Sequence, residues 1–199
     1  MNKLFVSFML LLIKQLNIMK KLLLLTACLL FCVSIEAQGI SIGAKAGLNL
    51  ASITGDDATG TDGRTSLHVG AVANFEISEI FAIQPELLYS AQGFKVDDVV
   101  FKFDYVSLPI LADVSISDGL SLQGGPVVGF NITSEAEGEG QTLDLDAESL
   151  DVAAAIGAQF TLPLGIFFQA RYNIGFTDIV QDSEAKNSLV TASIGYFFN

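Results

Sequence analysis

The sequence predicts an all-β fold: eight antiparallel strands closed up-and-down into a barrel that crosses a membrane, with short periplasmic turns and long extracellular loops. Three observations predict it. After residue 37 the chain alternates apolar and polar residues with period two in eight segments, and no window carries a convincing 3.6-residue stripe. Connections alternate between turns of two or three residues and long polar stretches, which places all short turns at one rim. One face of the segments is nearly free of charge, while the other is rich in Gly, Ser, Asn and Gln.

Residues 1–37 read as a signal peptide with an upstream leader. Lys20 and Lys21 form a positive start, Leu22 to Ile35 an apolar core, and Ala37 a small residue at the cleavage point, so that Gln38 opens the mature chain. The earlier apolar run from Leu4 to Ile13 is separated from this core by Lys14, Asn17 and the lysine pair, and neither reaches the ~20 residues of a membrane-spanning helix. Met19 opens a second, ordinary secretory start. Leu25-Thr26-Ala27-Cys28 resembles a lipid-attachment box, but apolar residues continue beyond Cys28, which favours a signal core. Cys28 and Cys32 both fall in the leader, which leaves the mature chain without thiol chemistry or a disulfide. Removing the leader, with four lysines and one glutamate, leaves six basic and 21 acidic residues, a net charge of −15. Nucleic-acid binding is not expected, since ten basic against 22 acidic residues in the whole chain give no sequence-independent attraction to a phosphate backbone.

Eight segments follow within the single domain 38–199. The first, Ile40 to Ala51, sets Ile42, Ala44, Ala46 and Leu48 against Gly43, Lys45, Gly47 and Asn49. The second sets Leu67, Val69, Ala71, Ala73 and Phe75 against His68, Gly70, Asn74 and Glu76, and the third Ile83, Pro85, Leu87 and Tyr89 against Gln84, Glu86, Ser90 and Gln92. The fourth, Phe101 to Val114, alternates only at its start and is then nearly all apolar, which predicts a bulge or an apolar lumen plug. The fifth sets Leu122, Val128 and Phe130 against Gln123, Gly129 and Asn131; the sixth, Val152, Ile156 and Phe160 against Asp151, Gly157 and Gln159. The seventh sets Phe168, Ala170 and Tyr172 against Gln169, Arg171 and Asn173, and the last Ile194, Tyr196 and Phe198 against Ser193 and Gly195. Ser78-Glu79, Ser117-Asp118-Gly119 and Pro163-Leu164-Gly165 are the tight turns. Ile53 to Thr65, Gly93 to Val100, Thr133 to Ser149 and Thr177 to Asn187 are expected as long loops.

A soluble barrel would bury the apolar face and a membrane barrel would expose it. An eight-stranded barrel is just wide enough to be filled by side chains, so small residues with Lys45, Glu76, Glu86 and Arg171 suit a packed polar lumen, and the uncharged face meets outer-membrane lipid. Aromatics sort into two belts: Phe75, Phe81, Phe160, Phe168, Tyr196 and Phe198 near the turn rim, and Tyr89, Phe101, Phe103, Phe130 and Phe176 near the loop rim. Pro85, Pro109 and Pro126 lie inside strands and are expected to need bulges.

The leader ending Ala37-Gln38, the opening Gly43-Ala44-Lys45-Ala46-Gly47-Leu48-Asn49, the mid-chain Ser107-Leu108-Pro109-Ile110-Leu111, Gly124-Gly125-Pro126 and the closing Ile194-Gly195-Tyr196-Phe197-Phe198 together resemble the PorT-like outer-membrane β-barrel family of small porin-like proteins over the whole mature chain. The resemblance implies an eight-stranded barrel at the Gram-negative cell surface and no established reaction; some relatives are accessory parts of a protein secretion machine. The aromatic finish at Tyr196 and Phe198 resembles the signal read by the outer-membrane assembly machinery, departing from it by Asn199.

No catalytic, cofactor or metal site is expected. His68, the single histidine, with Ser66 nearby is a conceivable acyl-transfer pair, but no G-x-S-x-G is present and a polar lumen histidine explains it. The acidic stretch from Glu135 to Asp151 has oxygen ligands for a hard cation but lacks the EF-hand order, which favours a solvated, self-repelling loop. Lys45, Glu76, Glu86 and Arg171 share the lumen parity and are expected to pair in an internal network that plugs the barrel, with a narrow conducting pore as the alternative. The chain thus reads as a non-enzymatic structural or surface-interaction barrel, its rivals being a pore, a small-ligand barrel and a soluble lipid carrier.

Overall fold

The computed structural model describes residues 39–54, 62–138, 141–145, 148–178 and 186–198. The leader, the Ala37–Gln38 junction, Glu139 and Asp146 lie outside the described residues. Among the described residues there are nine strands: β1 (Ile40–Thr54), β2 (Asp62–Ser78), β3 (Phe81–Val96), β4 (Val99–Ser117), β5 (Leu120–Gly138), β6 (Gln141–Asp144), β7 (Leu150–Thr161), β8 (Ile166–Asp178) and β9 (Lys186–Phe197). Each large strand pairs with its sequence neighbour, β5 continues to β7, and β9 returns to β1, so eight strands close a ring while, among the described residues, β6 pairs with β5 alone. The up-and-down antiparallel barrel follows from the alternation. Leu48, Leu67, Leu87, Ile110, Leu122, Ile156, Phe168 and Ile194 point outward and are exposed, whereas Lys45, Gln84, Glu86, Gln123, Gln169 and Arg171 are buried inside. Such an inversion of inside and outside is stable only in hydrocarbon.

At the turn rim, Gly119 and Gly165 take left-handed φ values of 77° and 85°, the conformation that lets two strands reverse in so few residues. The other rim departs from expectation. Gly93–Val100 is not a long loop: β3 runs to Val96 and β4 begins at Val99, leaving Asp97-Asp98 as the turn. Thr133–Ser149 is likewise partly strand, since β5 reaches Gly138 and folds back as β6. Beyond the bilayer both faces of a strand are wet, so alternation fades and the composition imitates a loop. β4 and β5 have 19 residues each against 12 in β7 and 12 in β9. A membrane strand needs only about 9–11 residues.

Phe101 and Phe103 do not belong to the loop-rim belt. Lys102 and Asp104 take the outward parity there, and Phe103 turns inward with Tyr105, at 1% and 2% exposure, packed against Phe94, Phe101 and Leu145 as an aromatic cap on the lumen. The β4–β5 register jumps between Tyr105↔Asn131 and Asp104↔Thr133, so Ile132 is a bulge residue that re-phases the end of β5.

The three prolines are accommodated without bulges. In an antiparallel strand the N–H and C=O of one residue point toward the same neighbour, so a proline damages one ladder only. Pro85 keeps its rung with Ile110 of β4, while pairing with β2 resumes at the same register from Val72↔Glu86 to Phe75↔Ile83. Pro109 keeps Val127 and interrupts β3; Pro126 keeps Ala154 and interrupts β4. Each gap lies toward the preceding strand, and register is held on both sides of it.

Candidate functional site

The lumen holds the densest chemistry. β3 and β8 stand on opposite walls of the ring, and Glu86 and Arg171 bridge them: Arg171 Nη2 donates to Glu86 Oε1 at 2.7 Å and Nη1 to Oε2 at 3.0 Å. Lys45 of β1 donates to Glu86 Oε2 and to Gln169 Oε1, both at 2.7 Å. The side chains of Glu86 and Lys45 are 0% and 1% exposed, so water screens this ion triad little. Below it a glutamine layer runs toward the turn rim. Gln84 donates to Glu86, Gln169 to Gln123 at 2.6 Å, and Gln123 to the carboxylate of Asp113.

Glu76 is not brought to the triad. It is exposed at the turn rim, where it lines a vestibule of about 590 Å³ with Asp113, Gln159 and Phe197. Parity aligns Glu76 with the lumen, but Lys45 registers with Gly70, and six further residues at ~3.3 Å each carry Glu76 about 20 Å along β2 toward the turn rim.

His68 finds its serine 125 residues away: its Nε2 lies 2.8 Å from Ser193 Oγ, and Nδ1 lies 2.7 Å from Asn49 Oδ1. Asn49 Nδ2 donates to the Ala91 carbonyl and to Ser90 Oγ, which leaves Oδ1 as the acceptor for His68 Nδ1–H, and Nε2 to accept from Ser193. Ser66 is occupied elsewhere, donating to the Ala91 carbonyl at 2.6 Å. The register Gly47↔Ser193 and Gly47↔His68 would have revealed this contact once β9 was closed onto β1. The order Ser–His–Asn is that of a nucleophile relay, yet the adjoining chamber of about 30 Å³ admits no acyl group, and Ser193 does not line it. The relay therefore ties β1, β2 and β9 across the closure seam.

Glycines fit the lumen around these groups. A Cβ on Gly195 would lie 2.2 Å from Phe167 Cζ, and one on Gly47 2.7 Å from His68 Cε1. Phe167 and Phe197 pack at 4.7 Å with Val72 into a second apolar plug. Among the described residues none lines both the chamber and the vestibule.

Outside the barrel, Glu135, Glu137 and Lys102 project from neighbouring strands of the extended sheet, Lys102 pairing with Glu137. That cation holds the Glu137 carboxyl below its ordinary range, first through the hydrogen bond and then through charge. Among the described residues no group of three His, Cys, Asp or Glu side chains could hold a metal ion.

A lipid-facing ring of eight strands, plugged by paired charges and aromatics, defines an integral outer-membrane β-barrel. The chain belongs to the family described as outer membrane protein beta-barrel domain, whose model matches residues 36–181. Among solved structures it is similar to Ail, the attachment invasion locus protein of Yersinia pestis, at 17% identity and TM-score 0.54, covering 81% of this chain and 99% of that one. Neisserial surface protein A is similar at 13% identity and TM-score 0.59, covering 81% and 100%. No curated protein matches by sequence.

Proposed function

We propose that this chain is a non-enzymatic surface-interaction protein that acts through the sheet projecting from its loop rim, the plugged lumen serving as a rigid strut. The asymmetry of the strands carries this reading: β3, β4, β5 and β6 continue beyond bilayer height, and among the described residues β6 pairs on one side only. Its free edge, with Leu143 64% exposed, can accept an extended segment of a partner. Asp104, Glu135, Glu137 and Asp144 near that edge favour a cationic partner, as does the net charge of the mature chain. Ail has been solved in complex with a heparin analogue, sucrose octasulfate, a polyanion that this charge disfavours here. Cells displaying the full chain should be retained on a protamine-coated surface several-fold better than cells displaying Thr142→Pro. Equal retention would refute the role of the edge.

A narrow pore or small-ligand barrel is the second reading, favoured by the vestibule that reaches the glutamine layer from the turn rim. Conductance steps of the intact protein in planar bilayers would establish it. Within the family, the motifs quoted above support a PorT-like placement, and deletion of the gene followed by assay of protein secretion tests an accessory role there. Outward-facing Tyr196 in β9 and Phe198 just beyond it, edge-on at 5.7 Å, support recognition by the assembly machinery. Amino-terminal sequencing of the exported protein tests removal of residues 1–37 between Ala37 and Gln38.

A further inference from the structure

We propose that the chamber above the ion triad is a built hydration site holding about two ordered waters, which join Arg171 Nε–H to Asn173 Oδ1. The chamber measures about 30 Å³ and is bounded by Lys45, His68, Asp151, Arg171 and Asn173 on its polar side and by Pro109 on its apolar side. One water needs at least ~10–15 Å³ on this measure, so two fit and acetate or glycerol does not. Among the described residues only three buried side-chain polar atoms lack a hydrogen-bond partner, and two of them, Arg171 Nε and Asn173 Oδ1, belong to residues that line this one chamber. Arg171 is 5% exposed, and its two terminal nitrogens are spent on Glu86. One orphan is a donor and the other an acceptor. Water satisfies both at once; a halide would satisfy Arg171 and meet the carbonyl oxygen of Asn173 with like polarity.

The waters extend the lumen network from the triad toward the loop rim, where Thr177 Oγ1 donates to Asp151 Oδ1 at 3.0 Å and accepts from the Val152 amide at 2.9 Å. The test uses the refolded mature protein in detergent micelles with ¹⁵N-labelled arginine. A rotating-frame Overhauser cross-peak between the Arg171 Nε–H and the water line, surviving in 0.5 M bromide, is expected. Absence of the cross-peak, or a bromide-dependent shift of that resonance with loss of the peak, would overturn the proposal. As a second test, the substitution Ala153→Val places methyl groups against the chamber from β7. Loss of the cross-peak together with a lower unfolding midpoint supports bound water, whereas a raised midpoint marks a dry cavity being filled and refutes it.

Discussion

Glu86→Gln removes one charge at nearly constant volume, and the structure fixes what it should cost. The native carboxylate accepts four hydrogen bonds, from Lys45 Nζ and Arg171 Nη2 at 2.7 Å and from Arg171 Nη1 and Gln84 Nε2 at 3.0 Å. None of the three charged side chains is more than 3% exposed. Withdrawing one partner from a buried ion pair costs roughly 3–5 kcal/mol, because the opposite charge is left uncompensated, against about 0–1 kcal/mol for a surface pair. Both cations depend on the same carboxylate, so the losses do not add, and about 4 kcal/mol is expected, close to three decades in the folding equilibrium by ~1.4 kcal/mol per decade. The chain contains no tryptophan, so unfolding is best followed by circular dichroism and by heat-modifiable gel mobility, over a urea titration in lipid vesicles. Adding Lys45→Met should recover part of the loss by removing one of the two stranded cations. A Glu86→Gln midpoint within ~1 kcal/mol of the native protein would refute a charge-closed lumen and indicate that bulk solvent screens the triad.

Gly195→Ala should lower stability by about 1–3 kcal/mol, since the added carbon would lie 2.2 Å from the Phe167 ring, and Phe167→Leu in the same chain should recover most of it in the same titration. Phe103→Ala should cost roughly 3–5 kcal/mol through the cavity it leaves, yet create no conductance in planar bilayers because the triad below still closes the bore. Conductance steps in that single variant would relocate the seal to the aromatic cap. Lys102 depresses the Glu137 carboxyl, so the link between β4 and β5 is present above the ordinary carboxylate range and lost as pH falls through the lowered value. Carbon-13 titration should show Glu137 protonating at higher pH in Lys102→Gln than in the native chain.

Period-two alternation was legible wherever one side of a strand meets lipid and the other meets the lumen, which is why Lys45, Glu86 and Arg171 could be placed on one face without coordinates. Depth was not legible. Alternation says inward or outward but not how far along the barrel, so Glu76 shared the parity of the triad while sitting at the turn rim. The pattern also failed where the two environments become alike. Phe103 and Tyr105 are apolar because they cap the lumen, and Gly93 to Val96 are strand although they lie among water-compatible neighbours. The His68–Ser193 contact required closure of β9 onto β1, a long-range fact that no local window contains.

The same geometry explains how a barrel without free edges tolerates proline. Had Pro85, Pro109 and Pro126 interrupted one strand pair, three successive losses would have left a run of unpaired carbonyls in hydrocarbon, each costing several kcal/mol. They fall instead on three consecutive strands, each facing the preceding one, so the β2–β3, β3–β4 and β4–β5 ladders carry one short gap apiece, each proline keeps its own rung to the following strand, and the register is the same on both sides of every gap. All three gaps lie in the long half of the barrel, where β3 to β5 gain extra rungs beyond the bilayer. The short strands β7 to β9, with few rungs to lose, contain no proline within the Leu150–Thr161, Ile166–Asp178 and Lys186–Phe197 spans. In the β3–β4 ladder the rungs from Leu88↔Ser107 to Val96↔Val99 on one side of the gap and from Phe81↔Val114 to Pro85↔Ile110 on the other share one register, so the missing bonds shift no side chain from the lumen to the lipid face.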